Sequence, residues 1–200
     1  SDLEWLSTLA GRLGDHPPKD INGFHAHVDS LHHLKISDLL KEATLVSGPR
    51  QYLFPKSLRR RYDLLTVFPE GLLPIGDAIC HINPGYSQGM SLALRQVEAL
   101  DDMLRERRGR KRALHGAWRD FLPRAYEQTR APWVFAAIQD FSKEGTTGDF
   151  PDEKKAITRL KRLSRHADKG DSAADALVDG LLDMQVSLST LDELGTEPQA

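Results

Sequence analysis

The stretch GLLPIGDAICHINPGYSQGM, Gly71 to Met90, concentrates the residues whose types and order can do chemistry. Leu72–Ile75 reads as a short apolar strand. Gly76 then permits a tight turn and close backbone approach. Asp77 stands just past the strand's carboxyl end, where open α/β sheets bind ligands. A carboxylate there accepts hydrogen bonds from the hydroxyls of a sugar or polyol. About a dozen residues later a helix starts near Gly89. Its free N–H groups and dipole favour negative charge. Gly85 and Gly89 leave room for a flat ligand against that backbone. Together these features suit a ligand that carries a polyol and a ring able to gain negative charge. The competing reading makes Asp77 an ordinary turn or cap residue.

The elements that must position this stretch read as follows. Leu3, Leu6, Leu9, Ala10 and Leu13 recur at helical spacing, with Ser1 or Asp2 as cap. Residues 21–33 are ambiguous, and 37–43 read as a short helix capped by Ser37. Arg50–Phe54 reads as a strand between Pro49 and Pro55. Pro69-Glu70-Gly71 is turn chemistry. Pro74 inside Leu72–Ile75 argues for a sheet edge or an interrupted ladder. From Gly89 the spacing of Met90, Ala93, Val97, Leu100 and Leu104 predicts a long helix, the clearest in the chain. Leu114, Trp118, Phe121, Leu122 and Ala125 share a face of the next helix, which Ala131-Pro132-Trp133 breaks or redirects. Residues 153–166 predict a basic amphipathic helix with Ile157, Leu160 and Leu163 inward. Residues 173–194 predict another with Leu177, Leu181, Met184, Leu188 and Leu191, before a frayed tail. The expected fold is a helix-rich α/β chain.

Other reactive side chains admit two readings each. His25, His27, His32 and His33 resemble a metal cluster, but no carboxylate or cysteine completes a standard spacing, which favours solvated or polar-core histidines. Arg59, Arg60 and Arg61 could bind a phosphate or an acidic substrate, or form a solvated basic turn. The basic run Arg105–Arg112 suits a helix C-terminus without nucleic acid. Cys80 and His81 are adjacent on an extended segment and point apart, so a thiolate–imidazolium pair is disfavoured and a buried cysteine preferred. Trp118, Phe121 and Trp133 read as core.

Composition bounds these readings. The chain has 200 residues, 40% hydrophobic and 28% charged, with net charge −2, which is ordinary for a globular protein. Neither a nucleic-acid nor a membrane-surface signal is present. No apolar run nears the ~20 residues that span a bilayer. One cysteine fits a reducing, cytoplasmic compartment. The start at Ser1 suggests a fragment, a processed product or an expressed piece.

The string GLLPIGDAICHINPGYSQGMSLALRQVEAL resembles the second flavin-binding motif of FAD-dependent monooxygenases related to p-hydroxybenzoate hydroxylase. It looks closest to the bacterial branch reading GDAVCxFNPxYGQGM. YLFPKSLRRRYDLLTVFPEGLLPIGDA looks like that branch's approach to the motif, and RAPWVFAAIQDF resembles a Pro-Trp segment of its C-terminal region. The specific likeness covers residues 50–100. It implies that Gly76, Asp77 and Ala78 hold the ribityl chain, and that Pro84, Gly85, Gln88, Gly89 and Met90 lie along the isoalloxazine ring. Tyr52, Phe54 and Tyr86 are expected to face a small organic substrate. The resemblance further implies a Rossmann-like FAD/NAD(P)-binding fragment with C-terminal helices. Residues 1–55 would end a substrate-domain sheet with helices, 56–110 would close the FAD-binding domain, and 111–200 would be helical. The implied activity is oxidoreduction through FAD, with NAD(P)H as a possible reductant. A monooxygenase of this type hydroxylates or epoxidises with O2 through a flavin hydroperoxide.

The departures are informative. Ser87 stands where the branch has Gly, Gly85 replaces a larger residue, His81 and Ile82 replace small or aromatic ones, and Pro74 interrupts the strand. No Gly-x-Gly-x-x-Gly follows a strand in these 200 residues, so the pyrophosphate half of the site is expected in an N-terminal portion of the same protein. The alternative is a degenerate relative that has lost its cofactor and acts as a helical interaction module.

Overall fold

A computed structural model of the chain describes residues 4–31, 35–111, 113–149 and 153–190. The chain divides into two compact units, Ser1–Pro55 and Lys56–Ala200.

In the first unit, Asp20 caps helix α1 (Ile21–Ser30), its carboxylate accepting from the Gly23 N–H at 2.8 Å. This settles the ambiguous 21–33 segment as helix up to Ser30. Helix α2 (Lys35–Glu42) starts two residues before Ser37. Ser37 is therefore not its cap. The buried Ser37 hydroxyl instead donates to Asp29 and ties α2 to α1. Residues 4–13 form no helix, and Trp5 and Leu6 are 71% and 95% exposed. Of the described residues of their apolar stripe only Leu9 is partly buried, and a helix that short is marginal by itself. The caps Ser1 and Asp2 lie outside the described residues, as do His32 and His33. Residues 50–57 form no strand.

The second unit corrects the α/β expectation. Its described residues hold one two-stranded antiparallel ladder, β1 (Leu58–Arg59) with β2 (Cys80–His81), in the register Leu58↔His81 and Arg59↔Cys80. The rest of its regular structure is helix: α3 (Gly89–Gly109), α4 (Ala117–Phe141), α5 (Lys154–Ala167) and α6 (Ser172–Leu182), besides short 3-10 turns. The chain is mainly helical, and its described residues show no Rossmann-like sheet. The physical reason is a shortage of partners: a strand needs a neighbour for its backbone groups. Pro49, Pro55 and Pro74 remove donors where ladders would form. Leu72–Ile75 stays outside any ladder.

Helix α3 starts at the glycine that the periodicity marks. Helix α4 runs unbroken for 25 residues through Pro123 and Pro132, so the expected break at Ala131–Trp133 does not occur. Proline costs a helix interior about 3 kcal/mol. Packing offsets that cost, since Ala131, Pro132 and Val134 are all buried. Trp118, Phe121, Leu122 and Ala125 line the buried face of α4 as expected, with Ile79, Cys80, Ile82, Leu92 and Met103 in one core cluster. Leu114 precedes the helix and is exposed. Each fully buried Phe or Leu here contributes roughly 1.5–3 kcal/mol.

Further along the same helix, Ala131 and Val134 join Ala156, Ile157, Leu160, Leu181 and Leu188 in a second cluster. Leu163 packs on it half-buried. Asp171 caps α6, accepting from the N–H groups of Ala173 and Ala174. That helix ends at Leu182 rather than at 194, because the chain turns at Met184 (φ +56°). The Leu191 position and the tail lie outside the described residues.

Two charged side chains fix the α3–α4 connection. The Glu70 carboxylate accepts from the Gly116 N–H at 2.8 Å and from Trp118 Nε1 at 3.2 Å. Arg107, in the basic run that suits a helix C-terminus, is 4% exposed. It donates to the carbonyls of Ala113 and His115 and pairs with Asp120.

Candidate functional site

The Gly-Asp stretch is held by two left-handed turning points and the α3 helix. Gly71 exits the Pro69-Glu70-Gly71 turn at φ +78°. The chain then runs to Ile75 in extended conformation (φ −141°, ψ 166°). Gly76 turns it at φ +61° into a 3-10 turn, Gly76–Ala78. The Gly76 N–H donates to Oε1 of Gln96 on α3 at 2.6 Å. A Cβ added at Gly76 would touch only the Ala93 side chain, at 3.6 Å. The turn therefore rests on the first turns of α3, and its glycine is required by backbone angle rather than by space.

The Asp77 carboxylate is 69% exposed and lies 3.3 Å from His81 Nδ1. Its carbonyl, with that of Ala78, accepts from Arg60 Nη1 at 3.1 and 3.3 Å. Arg60 thus braces the turn from the strand opposite, while its N–H donates to the Ile79 carbonyl. Ile79, Cys80 and Ile82 are buried and anchor the turn to the core. Burial pushes the Cys80 thiol up to about 12, against a smaller lowering by Arg59. Cys80 is a packing residue, not a nucleophile at neutral pH.

The next bend is built by local hydrogen bonding. The Asn83 side chain accepts from the Gly85 N–H at 2.9 Å, opening a 3-10 turn, Pro84–Tyr86. Ser87 closes it in the left-handed region at φ +57°, ψ 17°. The resemblance assigns glycine to this position, and the backbone adopts the conformation glycine favours while carrying a serine. Tyr86 donates its hydroxyl to Asp140 of α4 at 2.5 Å. That bond engages the tyrosine expected to face substrate. It also ties the bend to α4 through Asp140. Gln88 Nε2 donates to the Leu182 carbonyl at 3.2 Å.

Helix α3 then begins without a side-chain cap and without an acidic residue in its first turn. A Cβ added at Gly89 meets nothing within 4 Å, and Met90 is 82% exposed. Gly76, Asp77, Ala78, Pro84, Gly85, Gln88, Gly89 and Met90 thus belong to one continuous structure in the second unit. Tyr52 and Phe54 belong to the first unit, Tyr52 exposed and Phe54 half-buried.

Gln96 escaped the sequence reading. It is fully buried, and its Nε2 lacks a hydrogen-bond partner among the described residues. The signal was there: it is a polar residue on the same face as Leu92, Leu100 and Met103. One face of α3 remains open instead. Met90, Leu94, Val97 and Leu104, spaced three, four or seven apart, are exposed apolar residues, as are Leu72 and Ile75. Among the described residues no group of three or more His, Cys, Asp or Glu is placed to hold a metal. None of their helices is long and apolar enough to cross a membrane.

No protein-family model matches the chain. The chain is similar to a Mycobacterium tuberculosis (strain ATCC 25618 / H37Rv) protein described as Protein Rv3254. The two are 33% identical over 149 residues, 74% of this chain and 31% of the relative. The chain therefore spans about a third of the length of the curated relative it matches.

Proposed function

We propose that the chain is the part of an FAD-dependent oxidoreductase that holds the ribityl chain and one edge of the flavin ring. The observation that carries this reading is the conformation of residues 76–90. An exposed carboxylate at a left-handed Gly-Asp turn is followed by an uncapped helix start, with space in front of Gly89. A polyol and an anionic ring edge need these two features. In this reading Asp77 accepts from ribityl hydroxyls, and the first N–H groups of α3 face the ring edge that gains charge on reduction. Bound FAD would supply the redox chemistry. The chain's own residues orient the cofactor: Arg60 and Gln96 hold the turn, and Tyr86 with Asp140 holds the bend. Oxygenation of a small organic substrate, with NAD(P)H as reductant, is the activity we favour, in a reducing cytoplasmic compartment.

The open apolar face of α3, with Leu72 and Ile75, supports a further part of the same protein packing there and completing the cofactor site. A contiguous exposed patch of this kind marks an interaction surface. The protein in its longer form, purified with added FAD, is expected to retain flavin absorbance through gel filtration. Asp77→Ala is expected to lose it while circular dichroism stays unchanged. A longer form that folds but neither retains FAD nor gains thermal stability from it overturns the proposal and leaves the cofactor-free module.

A further inference from the structure

Helices α5 and α6 carry opposite charge on the sides they turn away from the core. Helix α5 is rich in lysine and arginine and holds no aspartate or glutamate. Its Ala156, Ile157 and Leu160 are buried in the second core cluster. Lys154, Lys155, Lys161, Arg162 and Arg165 are exposed, and at 3.6 residues per turn they lie on the opposite side of the helix. On α6, Leu181 is buried in the same cluster. Asp175, Asp179 and the following Asp183 are exposed, and their spacing keeps them in one stripe. No basic residue stands between Gly170 and Thr190.

These charges work against the isolated helices. Like charges four residues apart repel. Lys154 and Lys155 stand at the positive end of the α5 dipole, and Asp183 at the negative end of the α6 dipole. Glu153, just before α5, is committed to Arg59 at 3.0 Å. His166 pairs with Asp171 at the connection, 4.0 Å apart. Among the described residues, Asp175, Asp179 and Asp183 have no ion-pair partner.

The two charged faces match in register. Residues 168–171 join the helices, a connection short enough to make them antiparallel neighbours. Counted from it, Arg165, Arg162 and Lys155 stand about 3, 8 and 18 Å along α5, and Asp175, Asp179 and Asp183 about 5, 11 and 17 Å along α6. A two-fold axis running along the hairpin, in the plane of its outer face, lays α5 of one copy over α6 of the other. It keeps the ends matched and forms every contact twice. A polyanion on the basic face would meet the aspartate stripe beside it. A surface of both signs avoids that repulsion.

We propose that the chain pairs with a second copy of itself through the α5–α6 hairpin. The basic face of each copy meets the aspartate stripe of the other. Lys154 and Lys155 reach Asp183, Lys161 and Arg162 reach Asp179, and Arg165 reaches Asp175. Two helices about 18 Å long and together about 20 Å wide bury roughly 700 Å² in total, below the ~1,200 Å² of stable complexes. The association is therefore weak and salt-dependent. It uses none of the residues of the flavin reading.

The test is sedimentation velocity of the full chain up to about 1 mM, at about 20 mM and about 0.5 M sodium chloride. A monomer–dimer equilibrium is expected at low salt, weakened at least about tenfold at high salt. Lys161→Glu with Arg162→Glu, and separately Asp175→Lys with Asp179→Lys, are each expected to give a folded monomer by circular dichroism. An equimolar mixture of the two double variants is expected to dimerise again, since each reversed face then meets its opposite. Asp77→Ala is expected to change none of this. A wild-type monomer at every concentration in low salt overturns the proposal, as does its sedimentation with phosphatidylserine vesicles in place of pairing. A dimer that persists in both double variants also overturns it and moves the contact to the open face of α3. So does a mixture that stays monomeric.

Discussion

Replacing Ser87 by glycine is expected to stabilise the protein, against the usual rule that glycine weakens a fold. Ser87 sits at φ +57°, where an L-residue with a Cβ is strained by about 1–2 kcal/mol. Glycine removes that strain but adds freedom to the unfolded chain, at about 0.5–1 kcal/mol. The net gain is about 0.5–1 kcal/mol. For a chain of this size that raises the melting temperature by about 2 °C. The hydroxyl adds nothing to this balance, because Ser87 is exposed and its side chain makes no hydrogen bond among the described residues. Ser87→Ala keeps the Cβ and is therefore expected to be neutral. Differential scanning calorimetry of wild type, Ser87→Gly and Ser87→Ala separates the two effects. A glycine variant that melts lower than wild type refutes the reasoning. An alanine variant that gains as much as the glycine one also refutes it, since the strain would then not lie in the backbone.

Three further outcomes follow from contacts described above. Arg107→Met strips the Ala113 and His115 carbonyls of their donor and leaves Asp120 half-solvated, at a cost of about 2 kcal/mol, readable as a drop of about 4–8 °C in melting temperature; the matched control Arg105→Met, from an exposed pair, changes stability by less than about 0.5 kcal/mol. The Glu70 carboxylate is held below its ordinary range, first by the Gly116 N–H, then by Trp118, His115 and Arg119. A depressed carboxylate contributes stability above its unfolded value that is lost as pH falls through the folded one. Glu70→Gln should therefore flatten the acid limb of a melting-temperature profile below about pH 4.5, and an unchanged limb counts against the bond. Cys80, buried and raised to about 12, should react with a disulfide reagent at neutral pH only as the chain unfolds, so labelling should track the denaturant transition.

Where local pattern and final packing agree, the structure was legible in advance. Helix α3 begins at the predicted Gly89, and Ile157 and Leu160 turn inward from α5 as their spacing requires. The Gly-Asp turn and the Gly71 turn were readable because glycine has few rival explanations at a left-handed angle. The strands were not readable, since a strand is defined by a neighbour and periodicity cannot say whether one exists. Arg50–Phe54 and Leu72–Ile75 carry strand-like residues that pair with no strand among the described residues. The opposite error occurred at Leu6–Leu13, where most of a helical stripe stays exposed and no helix forms. Pro132 misled for a third reason: its local cost is real, but burial on both sides of α4 exceeds it. The buried pair of Arg59 with Glu153 joins residues 94 apart in the chain, a distance over which spacing carries no information.

Helix α4 contributes Trp118, Phe121 and Leu122 to one core cluster and Ala131 and Val134 to the other. A single rod that belongs to both cores makes them mechanically one body. Neither half can melt alone without fraying a helix on which the other depends. Calorimetry of the second unit should show one transition, and the central amides of α4 should be the last to exchange with solvent. A substitution under α5 would then be felt at the Gly-Asp turn as a change in how long that turn stays closed, with no contact between them altered.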